Sequence, residues 1–166
     1  AESVARELPG PRVRLAGVAV ATDTPALALR SDPLDLAAVR ASAQAALGQA
    51  GLSLGAVQVF ELSDPHGIAA ALALEAMGCY GRGEAPRHAA DGAIAPTGRT
   101  PIATAGGYKA RGDVGGASGV YQVVELVRQL RGEAGATQVP GAQVALAQCL
   151  GGVGATAATC VLVSEG

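Results

Sequence analysis

Gly106-Gly107-Tyr108-Lys109-Ala110-Arg111-Gly112-Asp113-Val114-Gly115-Gly116-Ala117-Ser118-Gly119 is the stretch on which the fold turns. Its last five residues open the clearest helix in the chain. Val120, Val123, Val124, Val127 and Leu130 recur at helical spacing and predict an apolar face. Glu125 and Arg128, three apart, can pair on another face, and Gly132 stops the helix. Two apolar segments follow, 142–149 and 155–163, separated by Gly151, Gly152 and Gly154. They read as adjacent antiparallel strands joined by a glycine turn.

Upstream of the glycine-rich stretch the pattern alternates. Residues 12–22 are rich in β-branched residues and read as a strand. Ser31-Asp32-Pro33 predicts a helix start, with Asp32 as cap and Pro33 at the first helical position. Leu36, Val39, Ala43, Leu47 and Ala50 form its stripe, and Gly51 suits its end. Val57–Leu62 is a short apolar run consistent with a buried strand. Ser63-Asp64-Pro65 repeats the helix-start tripeptide before an Ala/Leu helix over Ile68–Met77 that stops at Gly78. Residues 79–105 read as one long loop, a length that in a compact domain points to function or mobility. Strands interleaved with helices predict an α/β layered domain with a mixed sheet. Residues 1–10 read as a tail or linker and 11–166 as the domain.

Composition narrows the class. Of 166 residues 49% are hydrophobic but only 2% aromatic, so the core is built from Ala, Val and Leu. Twelve basic and fourteen acidic residues leave a net charge of −2. With no basic stripe interleaved with aromatics, nucleic acid is not an expected partner. No apolar run is long enough to span a bilayer, and no signal-peptide pattern opens the chain. Three cysteines, Cys79, Cys149 and Cys160, at unpatterned spacing argue for a reducing compartment, and a cytoplasmic location is expected. Without clustered Cys or His pairs, no metal site is expected.

Several motifs, in order, resemble the C-terminal half of thiolases. In that family the stretch at 106–119 reads GG-x-x-x-x-GHP-x-GA-[ST]-G. Residues 125–135 and Gln138-Val139-Pro140-Gly141-Ala142 look like the sterol-carrier (SCP-x) branch, as does Ala21-Thr22-Asp23-Thr24-Pro25-Ala26-Leu27. Glu61-Leu62-Ser63-Asp64 stands where that branch has Glu-Leu-His-Asp-Cys-Phe. The resemblance implies a thiolase-like C-terminal half, with a mixed five-stranded βαβαβαββ-like sheet and helices on both faces. Two such halves pack as five layers, and the nucleophilic cysteine belongs to the N-terminal half. The chemistry implied is Claisen-type acyl transfer, making or breaking carbon–carbon bonds on coenzyme A thioesters. The CoA thioester is the substrate, and no cofactor is called for.

Thiolase chemistry needs a nucleophile, a base for the α-proton and an oxyanion hole. The histidine of the GHP segment aligns with Asp113, whose ionised carboxylate can only accept hydrogen bonds. The histidine of the second motif aligns with Ser63, a poor base that can hold a water, and the repeated helix-start tripeptide by itself explains Ser63 as a cap. His66, beside it, is either a displaced base or an exposed polar residue. Cys149, in Cys149-Leu150-Gly151-Gly152, matches the family's Cys-x-Gly motif or is a strand-end cysteine acting as a small hydrophobe. The backbone N–H of Gly151 remains an oxyanion-hole candidate. Gly115 and Gly116 can cradle an anion at a helix start or simply serve packing. Gly106, Gly107 and Tyr108 are expected at the substrate, Tyr108 being the best placed phenol for proton transfer.

Three functions follow from this resemblance. The first is the C-terminal domain of a thiolase-like acyltransferase whose nucleophile comes from an N-terminal half. The second is a thiolase-derived retro-aldolase subunit acting on acyl-CoA with a zinc-ribbon/OB-fold partner. The third is a non-catalytic binding or scaffold subunit. If the family fold holds, the helix after Gly116 lies between two halves, and its apolar face needs an N-terminal half or a second copy to cover it.

Overall fold

The computed structural model of the chain describes residues 10–165 together with Val4 and Glu7, so most of the expected 1–10 tail lies outside the described residues. Strand β1 (Arg12–Thr22) leads to helix α1 (Ala37–Ala50), strand β2 (Val59–Leu62) and helix α2 (Gly67–Met77). Two short helices follow, α3 (Ala85–Ala90) and α4 (Gly107–Arg111). Helix α5 (Ala117–Leu130) and strands β3 (Val144–Gly151) and β4 (Thr156–Glu165) close the chain. The sheet order is β1-β4-β3-β2. The final pair is antiparallel as expected, β1 runs antiparallel to β4, and β2 runs parallel to β3.

Alternation along the strands sorts side chains to two faces. Phe60, Leu62, Leu146 and Val161 point to one, where they pack with Ala46 and Leu47 of α1 and Ala70 and Leu74 of α2. Val59, Ala145, Ala147 and Leu162 point to the other, against Leu126 and Leu130 of α5. Helices therefore cover both faces of a mixed sheet. Helix α1 lies so close to β1 that a Cβ on Gly17 would stand 2.0 Å from the Ala46 carbonyl oxygen.

The expected five strands are four among the described residues. The fifth is reduced to one parallel bridge between Phe60 and Ile102. Phe60 N–H donates to the Pro101 carbonyl at 2.8 Å, and Ala103 N–H donates to the Phe60 carbonyl at 3.0 Å. Pairing stops there because Pro101 has no N–H to continue it. Ala103 then turns at φ 44°, a left-handed conformation that no strand can extend. Residues 79–105 are not one loop, since they also contain α3.

Both expected helix caps are displaced. Helix α1 starts at Ala37, four residues beyond Pro33, and Leu36 at its N-cap contributes no side-chain bond. Asp32 closes a local turn, accepting from Leu34 N–H at 3.0 Å, and pairs with Arg82. Helix α2 starts after His66, so Ser63 caps nothing. The glycine ends are as expected: Gly51 and Gly78 both take the left-handed conformation.

Helix α5 packs a face rotated from the one its valines predict: Leu130 is buried and Val123 and Val127 pack partly buried against the same core, but Val120 and Val124 do not. Ser118, Gln122, Leu126, Gln129 and Leu130 are buried, while Val120 (65%) and Val124 (47%) are exposed. The buried glutamines supply hydrogen bonds that an aliphatic face cannot. Gln122 Nε2 donates to the Gln148 carbonyl at 3.3 Å. Gln129 Oε1 accepts from Val139 N–H at 2.8 Å, and its Nε2 donates to the Thr137 carbonyl at 2.7 Å. Leaving such backbone groups unpaired would cost about 1–3 kcal/mol each. The expected Glu125–Arg128 pair is present at 3.6 Å.

Candidate active site

The carboxyl ends of β2 and β3, parallel neighbours, open onto the same region, where α4 and the start of α5 also arrive. Ligands of open α/β sheets gather at such strand ends. Ser63 follows β2 directly and is 2% exposed. Its Oγ accepts from Leu150 N–H at 2.9 Å and shares a hydrogen bond with Tyr108 Oη at 3.2 Å. The serine proposed as a cap thus ties the end of β2 to the Cys149-Leu150-Gly151 segment and to the phenol. A hydroxyl has one proton and accepts as well. With Leu150 filling one acceptor position of Ser63, either hydroxyl can be the donor of the Ser63–Tyr108 bond.

Asp64 anchors the backbone of Tyr108. Its Oδ1 accepts from Tyr108 N–H at 3.0 Å at the start of α4. Gly107 makes this approach possible. Its φ is +57°, and a Cβ there would lie 2.2 Å from Asp64 Oδ2. Tyr108 is buried, and Arg111 lies over its ring at 5.4 Å and over the Tyr121 ring at 6.0 Å.

Arg111 also reaches Glu61, which is 1% exposed, at 3.3 Å. This is long for a charge-assisted bond. Burial pushes the Glu61 carboxyl up to about 7, with the Arg111 guanidinium pulling the other way. The sequence reading assigned no role to Glu61 and Arg111. The available signal was one carboxylate inside the buried run Val59-Phe60-Glu61-Leu62.

Asp113 is committed elsewhere. Its Oδ1 accepts from Gly115 N–H at 3.0 Å and from the Ser118 hydroxyl at 2.9 Å, while Val114 N–H donates to Ser118 Oγ at 3.1 Å. The carboxylate sits at the positive end of α5. The chain's own anion therefore occupies the N–H of Gly115 that was expected to cradle a ligand. Gly116 is the N-cap of α5 and exposed.

Cys149 lies near the end of β3, partly buried, against the first turn of α5. A Cβ on Gly119 would come within 3.2 Å of its Sγ. Gly151, the last residue of β3, is exposed. Ser63, Gly107, Tyr108, Cys149 and Gly151 thus converge on one end of the sheet. Asp113 joins this group through Ser118, which precedes Gly119. His66 is exposed at the start of α2, and its ring makes no hydrogen bond among the described residues. Among the described residues no group of three or more His, Cys, Asp or Glu side chains is arranged to hold a metal ion, and no helix is long and apolar enough to cross a membrane.

A family model described as thiolase C-terminal domain-like matches residues 19–164. The acetyl-CoA acetyltransferase of Methanothermobacter thermautotrophicus is 39% identical over 155 residues, 93% of this chain and 40% of that protein. Human sterol carrier protein 2 is 39% identical over 111 residues, 67% of this chain and 20% of that protein. Among solved structures, the Ltp2-ChsH2 aldolase superposes with a TM-score of 0.84 at 25% identity, covering 96% of this chain and 41% of that one. The chain spans about two fifths of the acetyltransferase's length.

Proposed function

The chain belongs to the thiolase C-terminal-domain family, and from that premise we propose that it forms half of an active site that makes or breaks a carbon–carbon bond beside a coenzyme A thioester. The observation that carries this reading is the Ser63–Tyr108 hydrogen bond, anchored by Leu150 N–H. The bond joins two hydroxyls at the carboxyl end of β2, and the resemblance of Ser63 to a family histidine position supports the reading. The acetyltransferase, of which the matched residues make up only 40%, supports a matching N-terminal half as the source of the nucleophile.

Two reactions fit this class, and one observation separates them. A Claisen-type transferase needs a donor to the enolate oxygen at position 113. Asp113 is instead an acceptor already held by Gly115 and Ser118. A retro-aldol cleavage needs a group that removes the proton of a β-hydroxyl, a role for Tyr108 with Ser63 as its hydrogen-bond partner. We therefore favour retro-aldol cleavage of a β-hydroxyacyl-CoA. The likeness to a two-component aldolase supports it, and a second subunit of the zinc-ribbon/OB type is the partner this reading calls for. In the acyltransferase reading Cys149 serves as the second catalytic thiol, and in both the N–H of Gly151 serves the enolate oxygen.

The test is an assay of β-hydroxyacyl-CoA cleavage and of acetoacetyl-CoA thiolysis, with the N-terminal half and any co-encoded subunit present. Tyr108→Phe should lower cleavage about 10²–10⁴-fold. Asp113→Asn should leave it within a few fold. Thiolysis lost in Cys149→Ser but kept in Tyr108→Phe would select the transferase instead. No binding and no turnover of any CoA thioester would leave a scaffold.

A further inference from the structure

Glu61 is a buried charge that the reading above leaves without a task. It lies inside the buried run Val59-Phe60-Glu61-Leu62, two residues before Ser63, and shares the α5 face with Val59. A buried ion pair rarely stabilises more than an apolar side chain of similar size, so stability alone does not explain it. Its partner, Arg111, is the last residue of α4. Tyr108 stands three positions earlier in the same helix, and residues at that spacing share a face. The guanidinium therefore lies over the Tyr108 ring at 5.4 Å while reaching the Tyr121 ring of α5 at 6.0 Å. Arg111 Nη1 (3.4 Å) and Nη2 (3.3 Å) both donate to one oxygen, Glu61 Oε2, while Nε has no partner among the described residues. One cation thus links β2, α4 and α5.

The other acids that face Glu61 are engaged. Glu125 of α5 pairs with Arg128 at 3.6 Å, and Asp64 accepts from Tyr108 N–H. Strand β3 brings no charged side chain, only the Cys149 thiol on the same face. Arg111 is the cation that answers Glu61. With the carboxyl ionised, two full charges attract at 3.3 Å. With it protonated, the guanidinium faces a neutral acid and the attraction falls. Burial pushes the Glu61 carboxyl up to about 7, which puts the exchange near neutral pH.

Resting on the reading above, we propose that Arg111 is a positioning residue for the Tyr108 phenol and that the charge on Glu61 sets how firmly it holds. Ionised Glu61 fixes the guanidinium over both rings, and Tyr108 stays aligned with Ser63. Protonated Glu61 releases it, and the phenol loses the support on its ring face. A rise in pH then switches the site on, at a cost to the stability of the fold.

Tyrosine labelled with carbon-13 in the ring gives three signals, from Tyr80, Tyr108 and Tyr121. Tyr108→Phe and Tyr121→Phe assign two of them. In the chain without substrate, the Tyr108 and Tyr121 signals should shift together with pH, with one midpoint at about 7. Glu61→Gln keeps the shape of the side chain, removes its charge, and should abolish the step in both. A step that survives in Glu61→Gln, or no step in the parent, overturns the proposal. A step confined to Tyr80 belongs to His88, stacked on it at 4.5 Å, and overturns it equally. In the β-hydroxyacyl-CoA cleavage assay, kcat should rise about threefold or more from pH 6 to pH 8. In Glu61→Gln it should stay at its low-pH value. Arg111→Lys keeps the charge but not the span across two rings, and should lower kcat about tenfold with KM held within about twofold. A change in KM with kcat unaltered overturns the positioning role. The paired step in the tyrosine signals, with no turnover of any CoA thioester, keeps the coupling and overturns the reading of the site on which it acts.

Discussion

The two faces of the one sheet are built on different principles. On the face under α1 and α2, Phe60, Leu62, Leu146 and Val161 close against Ala46, Leu47, Ala70 and Leu74. On the face under α5, the same strands present Glu61, Cys149 and Cys160 beside Val59 and Ala147, and α5 answers with Ser118, Gln122 and Gln129. Its neighbour β1, an edge strand, leaves Leu15, Val18 and Val20 exposed. One face is filled for stability. The other retains a buried carboxylate, a thiol and uncovered apolar side chains, all of which cost stability when the chain stands alone. The buried carboxylate and these uncovered apolar side chains lie on the second.

The largest expected difference is in packing. Leu62→Ala, at a fully buried position of the closed face, should lower stability by about 2–5 kcal/mol in urea denaturation. An effect below about 1 kcal/mol would mean that this face is not the closed one.

Next is the charge buried on the α5 face. Glu61 titrates near 7 when folded, against an ordinary value of 4.5. The folded chain then keeps a proton that the unfolded chain has already released. This contribution is complete below about pH 4.5 and is lost as pH rises through 7, up to about 3 kcal/mol in all. Thermal melts at pH 5 and pH 8 should show it, and Glu61→Gln should flatten the slope. Greater stability at pH 8 than at pH 5 in the parent, abolished by the variant, would reverse the sign.

Ser63→Ala comes third, at about 1–3 kcal/mol, because Leu150 N–H loses its partner in a buried site. If Ser63 were a cap or a surface residue, amide exchange at Leu150 would not change, whereas here it should accelerate. The smallest effect on stability belongs to Val124→Asp, within about 0.5 kcal/mol, because the side chain already faces solvent. It should still abolish association with the N-terminal half or with a second copy, read by light scattering. Unchanged association would place the partner surface elsewhere.

Much of this was legible in the chain. Strands at 12–22 and near 142–149 and 155–163, the α2 helix and the glycine ends at Gly51 and Gly78 all rest on local signals, and all are present. Less legible were the features that depend on what lies across the fold. Asp32 and Ser63 carry the same helix-start signature, yet neither caps a helix. Each found a stronger partner far along the chain, Arg82 for one and Tyr108 with Leu150 for the other. The valines of α5 are periodic, and the period correctly predicts a helix. It cannot say which side the sheet requires, because that depends on backbone groups at Gln148, Thr137 and Val139.

By itself, the sequence determined the family and the order of the four strands and the three long helices, because periodicity, glycines and motif spacing are written along the chain. Only the tertiary structure decided that Ser63 meets Tyr108, that Asp113 is spent on its own helix, that the fifth strand stops at Ile102, and that Glu61 is buried beside Arg111. These are contacts between residues up to 50 positions apart. A hydrogen bond or a desolvated charge depends on distance in space, which local sequence pattern does not encode.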